Sequence, residues 1–190
     1  MISAHPASAP RALALRAVLV LAGSAFLALS AQVAVPMFPV PITMQTLAIP
    51  LLVLVLGRRL AVAVTLAYLA EGALGLPVFS GWLGGVPRLL GPTAGFLWTF
   101  PLAAYLIGML LERGPDAGYA SRWVAVFLGT AVVFAGGAWW LAVGLNLSPW
   151  AALEKGVFPF LIGDVLKCTI AAGLGPQWSR LAARLGLEKL

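Results

Sequence analysis

The chain has 190 residues, 62% of them hydrophobic and only 9% charged, with a net charge of +6 and a mean hydropathy of +1.01. A soluble chain has about a quarter of its residues charged, so water is excluded as the main solvent and a single membrane domain over 1–190 is expected. Lys and Arg lie between apolar runs instead of clustering with aromatics, which points to membrane topology and away from nucleic acid, and the lone Cys168 excludes an internal disulfide.

The first ten residues are rich in Ala, Pro and Ser and are expected to be a disordered tail. Apolar runs and breakers then predict spans at 11–34, 43–56, 60–76, 93–111, 123–145 and 156–174. At ~20 residues per crossing the length allows roughly six spans. The expected class is therefore an all-α integral membrane protein, a compact bundle of six transmembrane helices. The first span has a rival reading: Arg16, an apolar run and Ala28-Leu29-Ser30 also fit a cleaved secretory signal. Cleavage would leave five spans in the same orientation.

With the N-terminus inside, inner ends and loops hold Arg11, Arg16, Arg58, Arg59, Arg113, Arg122, Arg180, Arg184 and Lys189, while outer loops hold only Arg88 and Lys155. Cytoplasmic ends have an excess of basic residues, so both termini are expected in the cytoplasm, 179–190 forming a cytoplasmic segment. Trp123 and Trp178 then fall near the inner interface, and Trp82, Trp98 and Trp150 near the outer one.

The outer connections differ from the inner ones. The stretch 35–43 is apolar and broken by Pro36, Pro39 and Pro41, and 77–92 (PVFSGWLGGVPRLLGP) mixes glycines with aromatic and aliphatic residues. Irregular backbone at membrane depth is tolerated where it is buried in protein or lines a cavity, so these loops are expected to fold over an extracellular-side pocket. Loops that merely dip into headgroups are the alternative.

Ionisable residues inside spans cost about 2.5–3.5 kcal/mol at a helix centre, which marks them as candidates. Asp164 and Lys167 stand at i and i+3 of the last span, where they can pair and face the bundle interior. A structural salt bridge is the competing role. Glu71 in the third span could line the same cavity or balance Lys167 or Arg88. Arg88 lies in an outer loop, against the charge bias, where a guanidinium suits a carboxylate or a lipid phosphate. Thr43 and Gln45 at the mouth of the second span offer neutral donors and acceptors, or simply begin a helix.

No Gly-rich loop ends in Gly-Lys-Ser/Thr, so the chain lacks the usual means of hydrolysing ATP. Its one histidine, His5, lies in the tail, which removes Ser-His and Cys-His catalysis, HExxH zinc sites and paired-histidine haem ligation. An enzyme is disfavoured, as is a channel, because no filter motif is present and the apolar outer loops would cover a mouth.

The runs Val40-Pro41-Ile42-Thr43-Met44-Gln45-Thr46-Leu47, Leu76-Pro77-Val78-Phe79, Leu89-Leu90-Gly91-Pro92-Thr93-Ala94-Gly95-Phe96, Phe100-Pro101-Leu102-Ala103-Ala104 and Gly163-Asp164-Val165-Leu166-Lys167 together resemble the BioY family. These are the biotin-binding S components of energy-coupling-factor vitamin transporters of the bacterial cytoplasmic membrane. The resemblance implies a six-helix fold, biotin as the transported ligand and no cofactor. It implies as partners a transmembrane coupling subunit and two cytoplasmic ATPases, although some members work without that module. Self-association is left open.

By resemblance Asp164 and Lys167 belong to the site, a carboxylate accepting urea N–H groups and an ammonium donating to an oxygen. Arg88 is assigned to the valerate carboxylate. Phe38, Phe79 and Trp82 are candidates to cover the ring system, with Gln45, Thr43 and Ser80 secondary. Two positions depart from the family pattern: Glu71, where a small or apolar residue is usual, and Ser24-xxx-Ala28, which only approximates the small-xxx-small docking pattern of the first helix. The alternatives are an S component for another vitamin and a membrane-embedded enzyme or assembly factor.

Overall fold

The computed structural model describes residues 9–113 and 118–184, with side chains described for 11–113 and 118–177. Most of the expected tail (1–8, with His5) and the end of the expected C-terminal segment (185–190, with Lys189) lie outside the described residues, as do the side chains of Trp178, Arg180 and Arg184.

The described chain is nearly all helical. In order come α1 (Ala9–Gln32), β1 (Ala34–Val35), β2 (Ile42–Thr43), α2 (Gln45–Ala73), a 3-10 turn (Val86–Leu89), α3 (Ala94–Glu112), α4 (Tyr119–Gly144), α5 (Pro149–Gly156), a second 3-10 turn (Phe158–Phe160) and α6 (Leu161–Arg184). Five segments are long and apolar enough to cross a membrane: Arg11–Gln32, Gln45–Ala73, Ala94–Glu112, Tyr119–Gly144 and Pro149–Gln177. Large apolar side chains such as Leu13, Leu66, Leu102, Trp139 and Ile162 are exposed around them. Such a surface suits acyl chains and not water, and the protein is a multi-pass membrane protein.

The helix α2 is not one rod. Gly57, at φ 75° and ψ 169°, has a conformation open essentially to glycine alone. The Gln45 and Tyr68 side chains, 23 residues apart, hydrogen-bond at 2.9 Å. Along a straight helix they would be roughly 35 Å apart. The chain therefore turns back at Gly57, and 45–56 and 58–73 lie side by side, near the expected second and third spans. Arg58, at this turn, pairs with Glu112 at 3.0 Å and lies over the Tyr105 ring, joining the turn to the end of α3.

The last expected span needs correction. Residues 149–156 form a separate short helix, capped by Ser148, whose hydroxyl accepts from the Ala151 amide, with Pro149 in the first turn. Then α6 starts only at Leu161 and continues past 174 through Pro176. Gly175-Pro176 reads as a stop in isolation, whereas a proline inside a membrane helix is tolerated when the freed backbone group finds a partner. Here the Arg122 guanidinium donates to the Ala172 carbonyl at 3.1 Å.

Helices α3 and α4 cross closely through glycines. A Cβ on Gly95 would meet the Gly136 carbonyl and Trp140, and one on Gly137 would meet the Phe96 ring. This small-residue contact brings Phe96, Phe100, Val133 and Phe134 together at one end of the bundle.

Candidate functional site

At that end lies a cavity of about 260 Å³, close to the lower limit of small-ligand sites of roughly 300–1,000 Å³. Its roof comes from the two Pro/Gly-rich connections: Phe38, Pro39, Val40 and Pro41 from the first, Phe79, Ser80, Arg88 and Pro92 from the second. Its walls are Thr43, Gln45 and Thr46 at the start of α2, Thr93, Phe96, Leu97 and Phe100 at the start of α3, Val133 and Phe134 of α4, Phe160, and Lys167 of α6.

Both roof segments are anchored. Ala34 pairs with Thr43 and Val35 with Ile42, so 36–41 is a loop closed by a short antiparallel ladder. The Met44 amide donates to the Ser30 and Val33 carbonyls, tying this ladder to the end of α1. In the second segment Phe79 and Leu83 exchange backbone hydrogen bonds around a tight turn in which Gly81 and Trp82 have positive φ. The Phe79 ring then lies over Gly72, where a Cβ would collide with it, and packs edge-on against Tyr68 at 5.4 Å. The backbone on either side of Leu90 is held by indoles: Trp98 donates to the Leu89 carbonyl and Trp140 to that of Gly91, each at 2.9 Å. Arg88 is thus an exposed guanidinium on a fixed rim.

Lys167 is 9% exposed, and its ammonium donates to the Thr43 carbonyl at 2.7 Å and the Thr46 hydroxyl at 3.0 Å. An ammonium has three N–H donors, so one remains for an acceptor in the cavity. Gln45 is fixed at both ends, its Nε2 donating to the Tyr68 hydroxyl and its Oε1 accepting from Thr43 at 3.2 Å. The second amide N–H of Gln45 is still available.

Of the nine expected site residues, Phe38, Thr43, Gln45, Phe79, Ser80, Arg88 and Lys167 meet around this cavity. Phe38 forms only its rim, at 91% exposed. Trp82 is not on the wall: it is 63% exposed, because its position at the tip of the turn, with φ 57°, directs it outward.

Asp164 and Lys167 do not form an ion pair. Residues three apart are separated by about 60° around a helix, and α6 packs against both α2 and α4, so each charge finds a different neighbour. Lys167 reaches α2, whereas Asp164, 3% exposed, reaches α4, where the Thr130 hydroxyl donates to its Oδ2 at 2.8 Å. Its Oδ1 is buried with no hydrogen bond of its own. The carboxylate faces an apolar crevice lined by Phe127, Ala131, Phe134 and Leu161, and Phe134 also lines the cavity. Asp164 thus stands behind the cavity wall, next to Phe134. Glu71 is elsewhere, accepting from Ser24 of α1 at 2.7 Å, so it neither lines the cavity nor pairs with Lys167 or Arg88.

Sequence reasoning missed Thr46, Thr130, Gln32 and the aromatic wall of Phe96, Phe100, Phe134 and Phe160. The polar three stand out as hydrogen-bonding side chains in apolar runs, a usable signal. The phenylalanines do not, since such residues line lipid as readily as a cavity.

The sequence model of the BioY family matches residues 5–184. The probable biotin transporter BioY of Pyrococcus horikoshii is 38% identical over 149 residues, covering 77% of this chain and 85% of that protein. The biotin transporter BioY of Thermotoga maritima is 34% identical over 159 residues, covering 83% and 92%. Among solved structures, the S-component for biotin from an ECF-type ABC transporter superposes with a TM-score of 0.78 at 24% identity, covering 94% of this chain and 95% of that one.

Proposed function

This chain belongs to the BioY family, and from that premise we propose that it is a biotin-capturing S component that takes up the vitamin at the cavity and is not itself an enzyme. The single observation that carries the reading is Lys167: a buried ammonium with one N–H to spare, on the wall of a mostly aromatic cavity whose rim bears an exposed guanidinium. Biotin has matching parts. Its urea oxygen is an acceptor for Lys167, its ring system is an apolar body for Phe79, Phe96, Phe100 and Phe160, and its valerate carboxylate is a partner for Arg88. Asp164 Oδ1 is an acceptor for a urea N–H once Phe134 swings aside.

In this reading the chain crosses the bacterial cytoplasmic membrane six times, the two arms of α2 counting separately, with both termini inside and the cavity outside. Arg58 at the α2 turn and Arg113 and Arg122 beside the α3–α4 connection lie at the end away from the cavity roof, which supports that orientation. Energy for release comes from a coupling subunit and cytoplasmic ATPases, since the chain has no nucleotide-binding loop. Equilibrium binding of labelled biotin to the purified chain in detergent tests the proposal. Saturable binding that Lys167→Met weakens is expected; binding of a different vitamin, or none, would overturn it.

A further inference from the structure

The end of α1 reaches the cavity roof through one side chain. Gln32, its last residue, donates from Nε2 to the Phe79 carbonyl at 3.1 Å and accepts at Oε1 from the Trp82 amide at 3.0 Å. The same Nε2 donates to the Ala28 carbonyl at 3.1 Å, which fixes the amide's orientation on its own helix. The side chain is thus a two-point clamp on the turn that bears Phe79 and Ser80. That turn needs one. Trp82 is in the left-handed region, costly for a residue with a Cβ, and Gly81 beside it also has positive φ. The turn's own backbone supplies only the two bonds between Phe79 and Leu83.

We propose that Gln32 is a positioning residue for the ligand: by holding the 79–83 turn closed from the end of α1, it keeps Phe79 against the cavity and sets how long bound biotin is retained. Gln32 does not line the cavity, so its effect passes entirely through the turn. The inference rests on the biotin reading for its ligand, but the clamp is testable without one.

The substitution Gln32→Met keeps side-chain length and removes both hydrogen bonds to the turn, along with the one to Ala28. In the ligand-free protein, amide hydrogen exchange at Trp82 and Leu83 is expected to accelerate while exchange in α3 and α4 is unchanged. Unchanged exchange in the turn overturns the clamp, whatever the ligand. With labelled biotin, faster dissociation by about fivefold or more is expected, with little change in association. A double-mutant cycle with Phe79→Ala separates positioning from general stability: in the Phe79→Ala background the further effect of Gln32→Met on dissociation is expected to vanish. Full additivity overturns the proposal. Should the Met variant fail to fold, Gln32→Glu retains the acceptor for Trp82 but offers Phe79 no N–H. It is expected to preserve Trp82 protection while still speeding dissociation, and wild-type dissociation in it overturns the role. A wild-type chain that binds no biotin sinks the functional reading, and the exchange measurement still decides the clamp.

Discussion

The Thr130 hydroxyl and the Asp164 carboxylate meet at 2.8 Å across the face where α4 packs on α6. An acid in a membrane helix is costly, and here this donor offsets the cost together with the nearby Lys167 ammonium, with the Cys168 thiol a weaker neighbour at 3.7 Å. Thr130→Val replaces that donor with a methyl group of similar shape and removes the shortest hydrogen bond to the carboxylate. A loss of about 1–3 kcal/mol in stability is expected, read as a lower unfolding temperature in detergent, with Thr130→Ser restoring it. Unfolding of the Val variant at the wild-type temperature would show that Asp164 is held by something else.

Lys167 and Asp164 respond differently to neutralisation. Lys167→Met removes the ammonium donor at the cavity wall, and biotin affinity is expected to fall at least tenfold, about 1.4 kcal/mol. The acceptors it frees, the Thr43 carbonyl and the Thr46 hydroxyl, border the cavity, but the charge that offsets buried Asp164 is lost, so the ligand-free protein is expected to unfold at a somewhat lower temperature. Asp164→Asn still accepts from Thr130 through its amide oxygen, so it folds as wild type does, but it puts an NH2 donor where Oδ1 stood, and that group cannot accept the urea N–H. A tenfold loss is expected there too, relieved neither by salt nor by pH. Isothermal titration of both variants checks the pair, and equal affinity in all three proteins would count against the cavity as the site.

The contrast between these two charges shows what the sequence could and could not convey. Hydropathy and the Pro/Gly breaks are local, so the apolar helices, the irregular roof and the prominence of Lys167 were legible. The side of α6 to which each charge turns depends on which helix packs there, and a three-residue spacing leaves both neighbours within reach. Trp82 was misplaced for a similar reason: its outward direction follows from a left-handed backbone at the tip of a turn, and aromatic composition holds no trace of it. The link at Gly57-Arg58-Arg59 was legible from its glycine and its two charges, and the backbone of Gly57 and the Gln45–Tyr68 contact agree with it.

Arg88 gives a prediction about ligand chemistry. Its guanidinium is exposed at the rim, so any pairing with the valerate carboxylate is weakened by water and ions, to within roughly 1 kcal/mol. Arg88→Ala is therefore expected to lower biotin affinity by a modest factor, about threefold to fivefold, that shrinks in high salt. Biotin amide, which has no carboxylate, should bind wild type and variant alike. Competition assays with the acid and the amide at two salt concentrations check this. An equal loss for both ligands would remove Arg88 from carboxylate recognition.

Two glycines separate backbone strain from helix propensity. Gly57 has positive φ, and a Cβ there would meet nothing within 4 Å, so Gly57→Ala introduces no clash and acts through the backbone alone. The φ/ψ pair is open essentially to glycine, and the expected cost is about 1–3 kcal/mol, because the alanine pulls the turn toward continuous helix and strains the contact between the arms. Gly163, near the start of α6, likewise has open space around a would-be Cβ, but its φ is negative and its setting helical. Gly163→Ala is expected to stabilise by about 0.5–1 kcal/mol. Thermal unfolding of both variants in one detergent gives the comparison. Opposite signs are expected, and a neutral Gly57→Ala would mean that the reversal of α2 is imposed by packing between its arms and not by the conformation of its glycine.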